Sequence, residues 1–122
     1  MNEKCLFLVL GIRPDVIRAS IIIRELRKRL GSKFKLVWSG QHYSDNLRDV
    51  FFRELGLSAP EIELGITGST DAELVASMIS ELSKILISEN PSAVVFLGDT
   101  NTVTGAVAAG QLNIPIVHIE GC

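Results

Sequence analysis

Cysteine is scarce in this chain: Cys5 and Cys122 are the two present among 122 residues, with no metal-like spacing between them. That excludes a disulfide-built scaffold and makes a reducing cytoplasm the expected setting. Aromatic residues are also few, at 6%, so Leu, Ile, Val and Ala must supply most of the apolar volume. No excess of positive charge exists. The formal net charge of −2 gives no electrostatic footprint for nucleic acid. No apolar run approaches the length of a membrane span. The run Cys5 to Leu10 is short and leads directly into Arg13-Pro14-Asp15, which reads as a buried strand rather than a secretory leader.

What the chain does have is a 47% hydrophobic content, enough for the core of one α/β domain over residues 1–122. Strand and helix patterns alternate throughout, as in parallel βαβ units. Strands are expected at Cys5–Leu10, Phe34–Trp38, Glu61–Leu64, Ala93–Leu97 and Pro115–Ile119. The third carries two acids and reads as an edge. A helix starts near Pro14, a favoured first-turn residue, with apolar positions Val16, Ile17, Ile21, Leu26 and Leu30, and Gly31 stops it. The basic run Arg24, Arg27, Lys28 and Arg29 falls at its end, where it would complement the helix dipole and face solvent. A second helix spans Ser44 to Leu55. Thr70 and Glu73 have capping-box spacing for a third, reaching Ser88. Thr102 to Leu112, rich in Ala and Gly, is suited to close packing on a sheet. Cys5, inside its apolar strand, reads as a small buried residue.

Right-handed crossovers restrict such a chain to a doubly wound sheet, of which the order 3-2-1-4-5 is favoured, with a switch point between strands one and four. Ligands bind outside the carboxyl ends of such strands. Polar residues stand at four of those exits: Arg13 after strand one, Gln41 and His42 after strand two, Asp99 and Thr100 after strand four, His118 and Glu120 at strand five. Each also has an ordinary reading. Asp99 is a good helix cap, and His118, among Ile116, Val117 and Ile119, reads as a satisfied core histidine. Glu120 is harder to dismiss, because a carboxylate ending a buried strand needs water, a cation or a function. Strand one exits as Gly-Ile-Arg-Pro-Asp, so neither the dinucleotide fingerprint nor the P-loop is present. A helix beginning at Pro14 beside Arg13 still offers one anion site.

The exits together resemble the non-hydrolysing UDP-N-acetylglucosamine 2-epimerases. Gly11-Ile12-Arg13-Pro14-Asp15 looks like that family's G-T-R-P-E, with Arg18 where a lysine is usual. Ser39-Gly40-Gln41-His42 is similar to T-G-Q-H, Gly98-Asp99-Thr100 matches G-D-T, and His118-Ile119-Glu120-Gly121 resembles H-V-E-A/G. The departures are Ile12 for a hydroxyl residue, a shorter acid at Asp15, and a planar guanidinium at Arg18.

The resemblance implies the Rossmann-like N-terminal half of a GT-B-type two-domain enzyme. Its reaction is inversion of C2 of UDP-GlcNAc to give UDP-ManNAc, through elimination and re-addition of UDP. By position, Asp99 and Glu120 become acid/base candidates. Arg13, Arg18, Gln41, His42, Thr100 and His118 become substrate-binding candidates. No metal or organic cofactor is implied. The implied partners are a nucleotide sugar, an absent C-terminal domain and a second copy in a homodimer. Two other readings stand beside it: a free-standing α/β binding module derived from such an enzyme, and another GT-B enzyme such as a glycosyltransferase.

Overall fold

The computed structural model describes residues 4–11, 13–40, 45–97 and 101–119, with the side chains of residues 13, 45–49 and 101–104 outside that description. Five short strands make one parallel sheet: β1 (Leu6–Leu10), β2 (Phe34–Trp38), β3 (Ile62–Glu63), β4 (Ala93–Leu97) and β5 (Ile116–Ile119). Their order is β3-β2-β1-β4-β5, the arrangement expected from the crossovers. The register sets Leu8 of β1 opposite Leu36 of β2 and Val95 of β4, and Leu97 of β4 opposite Ile119 of β5.

Helices α1 (Arg13–Leu30), α2 (Asp45–Glu54), α3 (Asp71–Glu89) and α4 (Asn101–Gln111) join the strands. Because β-strand side chains alternate between faces, β1 builds two cores. Leu8 and Leu10 pack with Val16, Ala19 and Ile23 of α1 and Phe52 of α2. Phe7 and Val9 pack with Met78, Leu82 and Leu86 of α3 and Ala108 and Ala109 of α4. Gly31, with φ near +55°, ends α1 and opens a 3-10 turn to β2. Thr70 caps α3: its hydroxyl accepts from the Glu73 N–H at 3.1 Å and donates to the Glu73 carboxylate at 3.2 Å. The return arm of the box thus closes side chain to side chain.

Three expectations need correction. The core row of α1 is Val16, Ala19, Ile23, Leu26 and Leu30, whereas Ile17 and Ile21 are 53% and 69% exposed. At 100° per residue those two fall off the sheet-facing stripe. Cys5 is only partly buried, at the fringe of the α3/α4 core.

The basic run at the end of α1 does more than face solvent. Arg27 donates to both carboxylate oxygens of Glu61 and to the carbonyls of Ser58 and Ala59, at 3.0–3.2 Å. Arg24 donates to the carbonyl of Leu55. Both therefore tie α1 to the α2–β3 connection. Glu61 in turn accepts the Leu36 N–H at 2.9 Å, occupying a ladder donor that two-residue β3 does not reach.

Small residues set the depth of α4. A Cβ on Gly105 would lie 2.7 Å from Met78 and 2.9 Å from Leu82, while nothing lies within 4 Å of one on Gly110. Gly105→Val should therefore cost about 1–3 kcal/mol through overpacking, and Gly110→Ala should gain about 0.5–1 kcal/mol through helix propensity. Arg27→Ala should cost about 1–2 kcal/mol, a part-exposed setting holding charge-assisted bonds to the low end of their range. Urea denaturation of the three variants checks all three values.

Candidate functional site

Topology alone brings the candidate exits together. Strand β1 lies between β2 and β4, and β5 borders β4, so the chain leaves the sheet at four adjacent points along one rim. The sheet reverses its winding between β1 and β4, where open α/β sheets hold ligands.

The rim at β1 and β2 is built by close backbone approach. Ser39 donates from its N–H to the Leu10 carbonyl at 2.8 Å, and its hydroxyl reaches the same oxygen at 3.2 Å. A Cβ on Gly11 would stand 2.7 Å from the Ser39 hydroxyl. A Cβ on Gly40 would lie 2.4 Å from the Trp38 ring and 2.8 Å from the Gly11 carbonyl. Trp38 cannot easily yield, since it is buried and meets Phe52 edge-on at 5.8 Å. Glycine is thus required at these exits by space. The serine of Ser-Gly-Gln-His is a buried fastener between two strand ends.

Ser39 and Asp15 are the buried polar or charged side chains among the described residues. Both lie at the carboxyl end of the sheet, Ser39 just after β2 and Asp15 in the first turn of α1. Burial of polarity is costly unless it is partnered, and no buried side-chain nitrogen or oxygen among the described residues lacks a hydrogen bond. Away from this rim, Arg27 meets Glu61 beside β3, and Lys35 at the start of β2 meets Glu89 at 2.7 Å. The Glu89 hydrogen bond, and then its charge, hold the Lys35 ammonium above the usual lysine value against partial desolvation.

The candidate residues fare differently. Arg13 begins α1, as expected of a residue at the β1 exit, and its side chain lies outside the description. Arg18 is exposed one turn further along α1. His118 lies in β5 opposite Phe96 and is exposed, not a core histidine. The correction has a physical cause: β5 ends the described sheet, and its neighbours Ile116 and Val117 are themselves 40% and 47% exposed. Gln41, His42, Asp99, Thr100 and Glu120 lie outside the described residues. Among the described residues no group of three or more His, Cys, Asp or Glu could hold a metal ion, and no helix is long and apolar enough to cross a membrane. Gly40→Ala should destabilise the domain by about 1–3 kcal/mol, whereas Gly65→Ala, with no atom within 4 Å of the new methyl, should not carry that packing penalty. Thermal unfolding of the pair tests whether the rim is as tightly packed as these distances require.

Known proteins share this frame. The chain is 43% identical over 114 residues to the UDP-N-acetylglucosamine 2-epimerase of Methanococcus maripaludis, covering 93% of this chain and 30% of the relative. It is 35% identical to the UDP-2,3-diacetamido-2,3-dideoxy-D-glucuronate 2-epimerase of Pseudomonas aeruginosa, covering 92% of this chain and 32% of the relative. The crystal structure of Methanocaldococcus jannaschii UDP-GlcNAc 2-epimerase in complex with UDP-GlcNAc and UDP superposes with a TM-score of 0.81 at 41% identity, over 93% of this chain and 32% of that one. The chain therefore spans about a third of the length of the curated relatives it matches. The family model described as UDP-N-acetylglucosamine 2-epimerase matches residues 24–122, and the chain belongs to that family.

Proposed function

We propose that this chain supplies the N-terminal half of the nucleotide-sugar cleft in an enzyme that interconverts UDP-GlcNAc and UDP-ManNAc, or close analogues, at C2. The observation that carries this reading is the coincidence of the four family-like motifs with four neighbouring strand exits of one parallel sheet. A family relative that has been crystallised with UDP-GlcNAc and UDP shares the frame.

The chemistry explains why those residue types are needed. A base removes the weakly acidic C2 proton, the C1–O bond breaks, and UDP departs with the electron pair, leaving a glycal-type intermediate. UDP then returns to C1 while a proton is delivered to the other face of C2. No net electron transfer occurs, so the reaction requires neither a redox cofactor nor an electron sink. Proton transfer at carbon needs a positioned acid/base pair, for which Asp99 and Glu120 are the candidates. The departing diphosphate needs preorganised positive charge, which Arg13 at the start of α1 supplies, with the α1 N-terminus adding its dipole. Arg18 stands nearby on α1. Gln41, His42, Thr100 and His118 complete the sugar and diphosphate contacts. The uridine grip and further catalytic groups belong to a C-terminal domain. The reading carries with it a cytoplasmic location, a role in supplying cell-envelope polysaccharide and assembly as a homodimer.

A half-cleft should bind without turning over. UDP-GlcNAc titrated into the isotopically labelled chain should shift amide resonances at residues 11–13 and 98–100, and Arg13→Ala should abolish those shifts. Absence of any shift at millimolar ligand would count against a preformed half-site. Epimerisation by the pure chain alone would overturn the half-cleft reading.

A further inference from the structure

We infer that Asp15 is a positioning residue for the substrate rim, an inference that rests on the epimerase reading above. Asp15 is the one charged side chain among the described residues that is buried, at 6% exposure. It is also not without a partner. Its place in the fold is unusual for a buried acid. Helical spacing sets Asp15 one turn before Ala19 and beside Val16, so a charged residue is buried at the β1 end of the stripe Val16, Ala19, Ile23, Leu26 and Leu30. The same core includes Leu10 and Leu97, the final residues of β1 and β4. A charged residue is therefore buried beside the apolar end of that stripe, at the switch point and two positions from Arg13.

The chemistry of that place selects a carboxylate. The first turn of a helix presents N–H groups without intrahelical acceptors, and Pro14 removes one of them. An ionised carboxylate only accepts, and its bonds to N–H donors are charge-assisted. An amide of the same shape carries no charge and offers one acceptor oxygen in place of two. Asp15 acts on the reaction indirectly, by fixing the start of α1, where Arg13 stands, against the sheet. It also offsets part of the positive field at the start of α1, leaving Arg13 as the dominant anion contact. A surface helix cap would not need the burial.

The test is made in the full-length enzyme, with UDP-GlcNAc epimerisation and thermal unfolding measured side by side. Asp15→Asn should lower kcat on the order of 100-fold, the scale of misplacing a reacting group by about an ångström. KM should change by no more than a few-fold, since transition-state alignment and not ground-state binding is lost. The variant should retain a cooperative unfolding transition. Asp15→Glu, which keeps the charge and matches the longer acid of the family-like motif, should recover most of the rate. Should Asp15→Asn fail to fold, Asp15→Ser keeps a hydroxyl acceptor without the charge and carries the same expectation. Unchanged kcat in the folded neutral variant, or an Asp15→Glu variant as slow as Asp15→Asn, would overturn the inference and leave Asp15 as a capping acid. Absence of epimerisation by the unmodified enzyme would instead overturn the functional reading itself, and this inference with it.

Discussion

Strand β1 is hydrogen-bonded along both edges, to β2 over five residue pairs and to β4 over four. Alternate residues of its Phe7-Leu8-Val9-Leu10 run feed the two opposite cores. Parallel pairing on both sides obliges the chain to cross over after every strand, and the right-handed rule then fixes which face each helix covers. Helices α1 and α2 fall on one face, α3 and α4 on the other. The change of face occurs between the two partners of β1, which is why its exit lies at the switch point. The geometry of the carboxyl rim is thus a consequence of how one short apolar strand satisfies its backbone.

The sheet divides its polar chemistry by position. Away from the rim, charges are paired for attachment: Arg27 with Glu61, Lys35 with Glu89, and Arg24 with a loop carbonyl. At the carboxyl rim, polarity is buried and small residues bring strand ends into contact, as at Gly11, Ser39 and Gly40. A rim assembled this way has few internal adjustments available, because a methyl group on Gly40 already collides with an indole held against Phe52. Packing of this kind holds the strand ends in a fixed relation to one another.

Much of this was legible from residue order. The five strands, their sequence across the sheet and the Thr70 cap of α3 follow from period, turn chemistry and crossover handedness, all of which are local or near-local rules. The failures occurred where tertiary partners decide. Ile17 and Ile21 fit a helical apolar pattern, yet Ala19 and Ile23 define the buried stripe because the sheet contacts a narrower arc. Arg27 looked like a solvent-facing charge because its partner is 34 residues away. His118 looked buried because β5 is apolar in sequence, whereas its position at the end of the described sheet leaves it exposed. Asp15 stands in the sequence as a variant letter in a motif, since sequence alone gives no sign that it is buried.

The carboxylate of Glu61 has a further consequence for the edge of the sheet. Strand β3 pairs only with Val37 and Trp38, which leaves the first half of β2 uncovered on that side. An uncovered parallel strand offers its amide hydrogens as a template to any extended peptide, and so to aggregation. By taking the Leu36 N–H itself while held by Arg27, Glu61 removes the donor that an intruding strand would have to capture. It also sets a negative charge in that strand's path. One side chain thereby does the work of several residues of β-strand, and the domain keeps a two-residue border without inviting fibril growth along it.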